Sequence, residues 1–287
     1  MPDVFELKSR IDGLKSIHNI TYAMQIVTIS RLKRIVQRLT CTTEATQEVA
    51  SAMSILLSEK PSFYSRLVPP LSDRPPVVLA VFSNRGFCGS YNQDVLQGLQ
   101  NKLAELPGAS IVAFGKKAPE VLKRISSSYS VTYFQPERDV FSESEAYTAY
   151  QHIKGLVDTG TPIHAVYYAF KSIVTQTLRV ASVNPPAVSE LPDVADLRLG
   201  VPPFTEPNAT VLFERLVDQF QFLRFLTILR NGASSEFSQR FLLMKGAVDN
   251  VKALQEELSI ELNKQRQAGI TQEVSEIIST FKALSEK

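Results

Sequence analysis

Fifteen of the sixteen prolines in this 287-residue chain fall between Pro61 and Pro207, and the other is Pro2. Residues 3–60 and 208–287 contain none, whereas eight of the twelve glycines lie in the middle. A proline inside a helix costs about 3 kcal/mol, so two long proline-free ends are what long helices require. Periodicity supports helices there. Phe237, Phe241, Met244, Val248 and Val251 recur at steps of four and three, as do Ile270, Val274, Ile277, Phe281 and Leu284. The N-terminal segment opens in the same way with Val4, Leu7, Ile11 and Leu14, and resumes at Leu32, Ile35 and Leu39. Between them the apolar stripe slips by one residue, to Ile17, Ile20, Met24 and Val27, which implies a local change in how two helices wind. Such seams belong to paired helices, and fully helical ends would span about 87 and 120 Å. An antiparallel hairpin of the two ends follows, the alternative being separate bundles of shorter helices broken near Gly13, Gly232, Gly246 or Gly269.

The middle alternates short β-branched runs with helical stretches, which predicts a mostly parallel α/β sheet. Strands are expected at Val77–Phe82, Ile111–Phe114, Val131–Phe134, Ile163–Phe170 and Ile173–Ala181, the last two as a hairpin. Helices are expected near Gln93–Glu105, Pro119–Ile125 and Glu143–Val157, with a proline-rich connector from Asn184 to Pro207. The fold class is therefore α/β plus a long antiparallel coiled coil, with a five-stranded Rossmann-like centre. The expected domains are 1–60 (N-terminal coiled-coil helix), 61–207 (central α/β domain and connectors) and 208–287 (C-terminal coiled-coil helix).

Composition excludes several kinds of protein. Lys+Arg 31 against Asp+Glu 29 gives a formal charge of +2, which disfavours a polybasic nucleic-acid binder. Two cysteines and three scattered histidines supply neither a disulfide framework nor a metal site, and no cofactor is expected. No apolar run is long enough for a membrane span, and no signal or transit segment is apparent at the N-terminus.

The strand–loop–helix stretch containing Gly86, Phe87, Cys88, Gly89 and Ser90 could present Cys88 as a nucleophile, with His152 or His164 as base. The competing reading is a tight turn around a small buried hydrophobe. A nucleophile elbow would want glycine at Ser90, and the loop has neither a P-loop ending nor a dinucleotide fingerprint. The helical ends carry a different signal. Residues 16–30 are uncharged, and Ile17, Ile20, Met24, Ile26, Val27 and Ile29 cover more than one stripe. Arg31, Lys33, Arg34 and Arg38 follow, with no acid between Gly13 and Thr43. Leu216–Leu229 is also apolar on several sides. Such surfaces need enclosure by other chains, and the basic cluster is either a solvated face or suited to an acidic partner.

The sequence resembles the gamma subunits of F-type ATP synthases. The resemblance rests on Leu7, Lys8, Arg10, Ile11, Ile20, Thr21, Ala23, Met24 and Val27; on the loop Ser83, Arg85, Gly86, Phe87, Cys88, Gly89 and Asn92; and on the C-terminal helix. There Ser235, Glu236, Arg240, Met244, Lys245, Asp249 and Asn250 match, followed by the run from Asn263 through Arg266, Gln267, Ala268, Ile270, Thr271 and Glu273 to Ile277. The resemblance implies a non-catalytic rotor shaft inside the ring of alpha and beta subunits, joined to the epsilon subunit and the membrane c-ring. It would transmit rotation, with catalysis on the beta subunits. It also implies ring contacts at Met24, Arg31, Lys33, Arg34, Arg266, Gln267, Thr271 and Glu273, and a bearing tip of Ile270, Ile277, Ile278, Phe281 and Leu284. Arg85, Gly86, Cys88 and Gly89 would form a structural loop. Membrane contact would be indirect, at the cytoplasmic face of a bacterial inner membrane in preference to a mitochondrial one. The alternatives are a cysteine-dependent enzyme or a divergent gamma-like scaffold. Tyr22, Asn84, Ser90, Phe237 and Arg31 depart from residues common in that family.

Overall fold

A computed structural model describes residues 4–63, 65, 72–184, 205–206 and 208–285, with side chains as far as Phe281. Much of the expected 184–207 connector lies outside the described residues. The chain forms helix α1 (Val4–Glu59), strand β1 (Val77–Val81), α2 (Tyr91–Glu105), β2 (Ser110–Phe114), α3 (Ala118–Leu122), β3 (Val131–Phe134), α4 (Glu143–Asp158), β4 (Ile163–Phe170), β5 (Gln176–Asn184) and α5 (Ala209–Ser285). The two proline-free ends are each a single helix, unbroken at Gly13, Gly232, Gly246 or Gly269. The chain divides into two compact units, residues 29–240 and residues 1–28 with 241–287.

In the larger unit the strand order is β3-β2-β1-β4-β5, parallel except for β5, which runs antiparallel to β4. All five β1 residues are buried, as expected of a strand covered on both faces. One face carries Tyr91, Val95, Leu99 and Leu103 of α2 with Ala118 and Leu122 of α3. The other carries Ala146, Ala149, Tyr150 and Ile153 of α4, together with Phe225, Leu226, Ile228 and Leu229 of α5. Helix α4 starts on a capping box in which Ser142 and Glu145 satisfy each other's backbone N–H groups.

Two expectations are corrected here. The apolar stretch Leu216–Leu229 is covered largely by the chain's own sheet and helices, so it is core and not an interaction surface. The last strand begins at Gln176, because Lys171–Thr175 forms the turn of the β4–β5 hairpin, closed by Lys171 and Ser172 N–H donating to Thr175 O.

Helix α5 crosses the sheet at Gly232. A Cβ there would lie 2.5 Å from Val81 Cγ1 and 3.2 Å from the Tyr91 hydroxyl. The glycine marks the closest approach of helix to strand, and Tyr91 bridges them by donating to both Val81 O and Gly232 O at 3.2 Å. In the same unit the inner parts of α1 and α5 run antiparallel. Ala50, Met53 and Leu56 pack with Phe213, Val217 and Phe220, whereas Leu32 and Ile35 pack with Ala233 and Phe237. Between these layers the Arg230 guanidinium donates to Arg38 O at 3.0 Å and to the Thr42 hydroxyl.

In the smaller unit, Ile11 and Lys15 line a groove with Lys252, Gln255 and Ser259. The inward positions of α1 are Leu7, Ile11, Leu14, His18, Thr21, Gln25 and Thr28, at strict steps of four and three. The expected slip in the seam does not occur. Polar side chains hold the inward register, and the apolar residues Ile17, Ile20, Met24 and Val27 stand beside it, exposed. On α5 the inward positions are Met244, Val248, Val251, Gln255, Leu258 and Leu262. From Arg266 to Phe281 every side chain is exposed. The repeat Ile270, Val274, Ile277 and Phe281 is therefore an exposed stripe and not a buried seam between the two helices.

Candidate functional site

The β1–α2 loop is held to α5 by a buried ion pair. Glu236 is 2 % exposed and Arg240 is 7 % exposed. Arg240 Nη2 donates to Glu236 Oε1 at 2.6 Å. The carboxylate also accepts the N–H groups of Asn84 at 3.0 Å and Arg85 at 3.2 Å. Arg240 then donates through Nε to Gly86 O and through Nη2 to Arg85 O, both at 3.1 Å. Burial pushes the Glu236 carboxyl up, while Arg240 and the two backbone donors pull it back. Other side chains of the loop are bonded as well. Asn84 donates its amide to Asp139 O and accepts from Lys116 N–H. The first of these bonds requires an amide, which gives the asparagine at this position a physical reason. Ser90, in place of the commoner glycine, donates to Asp94 at 2.6 Å.

Asp139 extends this collar to α1, since its carboxylate binds both Arg31 and, at 2.6 Å, Arg85 Nε. Arg31, Arg34, Arg38, Arg85, Lys116 and Arg138 line one groove of about 500 Å³ with Glu137, Asp139, Ile35, Val140 and Phe237. Phe237 packs on Leu32 and Ile35 with the Arg240 guanidinium 5.1 Å from its ring centre, so this bulky residue fills the gap between the helices.

Cys88 is not an activated nucleophile. It is 3 % exposed, its thiol lies 3.7 Å from Arg85 O, and burial pushes its pKa up, partly offset by Ser83. His152 packs against Phe134, and His164 sits on β4 beside Lys102 and Glu105; neither contacts Cys88. Gly89 at φ 61° and Phe87 at φ 58° make the tight turn, with Phe87 70 % exposed. Among the described residues no cluster could hold a metal ion, and no helix is long and apolar enough to cross a membrane.

The structure brings Arg31, Arg34 and Arg85 together, with Gly86 against Arg240. Lys33 lies exposed outside that groove. In the smaller unit Met24 is 42 % exposed, level with the outward apolar residues, and Tyr22 stacks on His18 at 6.0 Å. Arg266, Gln267, Thr271 and Glu273 share the exposed end of α5 with Ile270, Ile277, Ile278 and Phe281; Thr271 donates to Gln267 O within its own helix. Leu284 lies in the last helical turn, its side chain outside the described residues. Sequence reasoning missed Asp139, Lys116 and Arg138, which reach the groove through tertiary folding. It also missed the role of Glu236 and Arg240, whose four-residue spacing among Phe237 and Phe241 was an available signal of a buried pair.

An ATP synthase family model matches residues 4–284. An ATP synthase gamma chain of Mycolicibacterium paratuberculosis is 30% identical over 301 residues, covering 98% of this chain and 97% of the relative. That of Saccharopolyspora erythraea is 29% identical, covering 99% and 98%. Among solved structures, a chain of the Euglena gracilis mitochondrial ATP synthase (OSCP/F1/c-ring) superposes with a TM-score of 0.65 at 19% identity, covering 98% of this chain and 94% of that one. A chain of the Tetrahymena thermophila central stalk and c-ring gives 0.56 at 18% identity, covering 79% and 99%.

Proposed function

Because the chain belongs to the ATP synthase gamma-chain family, we propose that it is the central rotor shaft of an F-type ATP synthase. In this reading it passes rotation between a membrane c-ring and a catalytic ring of alpha and beta subunits, coupling ion flow to ATP synthesis or hydrolysis. It has no bond chemistry of its own, catalysis residing on the beta subunits. The epsilon subunit would bind near the sheet domain, and the chain would be peripheral to the membrane, at the cytoplasmic face if the source is bacterial, as its named relatives are.

One observation carries the reading. On α1 the inward register holds His18, Thr21, Gln25 and Thr28, while Ile17, Ile20, Met24, Ile26 and Val27 are between 42% and 61% exposed. A helix built for its own partner would have these reversed. Apolar groups turned outward gain only when another chain encloses them. The exposed Ile270, Ile277, Ile278 and Phe281 extend the same argument to α5 and support their assignment as a bearing tip. Met24, Arg266, Gln267, Thr271 and Glu273 are placed on outward faces where a ring could touch them, and Arg31, Lys33 and Arg34 supply a basic flank for its acidic segments.

Affinity purification of the chain from its own cells tests this. Alpha, beta and epsilon subunits are expected as stoichiometric companions. Recovery of the chain alone, or with unrelated proteins, would overturn the reading in favour of a divergent scaffold.

A further inference from the structure

The basic groove contains its own counter-ion. Six cations line it (Arg31, Arg34, Arg38, Arg85, Lys116 and Arg138) against Glu137 and Asp139. Among the described residues, Asp139 is bonded to Arg31 and Arg85, whereas Arg34, Arg38 and Arg138 have no ion-pair partner. Lys116 Nζ donates to Glu137 O at 2.7 Å, which occupies the ammonium without neutralising it. The groove therefore keeps an excess of positive charge in a concave surface whose floor is Ile35, Val140 and Phe237. A carboxylate-bearing peptide is the chemistry that complements it.

Resting on the shaft reading above, we infer that Asp139 competes with an acidic segment of the surrounding ring for Arg31 and Arg85, and so sets how tightly the groove holds that segment. The two arginines are 43% and 62% exposed and the carboxylate 18%, so the internal pair is accessible enough to exchange. An incoming carboxylate that reaches Arg31 or Arg85 displaces Asp139, which then turns to the other arginine. When the incoming group leaves, Asp139 returns. Each exchange replaces one ion pair by another, so attachment and release differ little in free energy. A contact remade at every turn needs that property, and Arg31 and Arg85 would lack it if Asp139 did not neutralise them between contacts.

A purely structural clamp would make the Asp139–Arg85 pair act in one direction, whereas competition makes its two partners act in opposite directions. The test uses the whole complex in membrane vesicles and reads the KCl concentration that halves ATP-driven ion uptake. Asp139→Asn is expected to raise that midpoint, with a gain of about threefold in apparent attachment, the scale of a partly exposed ion pair. Arg85→Gln is expected to lower it by a similar factor. Movement of both variants in the same direction, or no movement with Asp139→Asn, overturns the competition. Arg34→Glu with Arg38→Glu is the separate arm: if that variant leaves the midpoint unchanged, the acidic-partner reading itself fails.

Discussion

Glu236 is the residue on which the collar depends most. Replacing it by alanine strands Arg240 in a buried site and removes the acceptor for Asn84 and Arg85 N–H. Breaking one side of a buried pair in this way costs about 3–5 kcal/mol. Chemical denaturation of the isolated larger unit or the whole chain should show that loss, and Glu236→Gln, which keeps an acceptor oxygen, should lose less. His164 gives a pH dependence with a definite sign. Burial, aided by Lys102 and opposed by Glu105, holds its imidazole below the ordinary 6.5. The unfolded chain therefore takes up that proton first, so stability is present above pH 6.5 and declines as pH falls through the folded value. His164→Gln should flatten the stability curve in that window; an identical curve would assign the slope to other groups. Few of these roles could be read from the sequence. Glu236 and Arg240 stand out as charges in an apolar stretch, but nothing in the sequence places Asp139 near Arg31, 108 positions away.

The elements were far more legible, and where they were not the cause is specific. Freedom from proline and steps of three and four located α1 and α5, and β-branched runs between turn residues located the parallel strands. The β5 register failed because Ile173 and Val174 are apolar yet occupy the hairpin turn, with Val174 76% exposed. The α1 seam failed because periodicity detects where apolar residues line up, not which line faces the chain's own partner. Two predictions follow from that distinction. Leu32→Ala, in the buried seam, should destabilise the free chain by about 2–5 kcal/mol in thermal or urea unfolding. Ile20→Ser with Val27→Ser, on the outward face, should leave free-chain stability within about 0.5 kcal/mol and weaken assembly into the complex instead. At the helix crossing, Gly232→Ala should destabilise despite alanine's higher helix propensity, because the added methyl enters the space of Val81; a raised melting temperature would contradict that packing.

For the whole molecule, the sheet domain, the collar and the outward apolar faces amount to one proposal: a chain whose folding is largely complete on its own in residues 29–240, and whose remaining helical surface is completed by other subunits. The sheet unit buries its core against its own helices. In the smaller unit, α1 turns apolar side chains outward and α5 is exposed from Arg266 to Phe281, so free chain should self-associate at concentrations where assembled chain does not, a difference that light scattering can measure. The most direct test of the shaft claim is mechanical. With the alpha and beta subunits fixed to a surface and a bead attached through a cysteine introduced at the exposed Val174, ATP should drive continued rotation of the bead in one direction. ATP hydrolysis by a complete, correctly assembled complex whose bead stays still would contradict it.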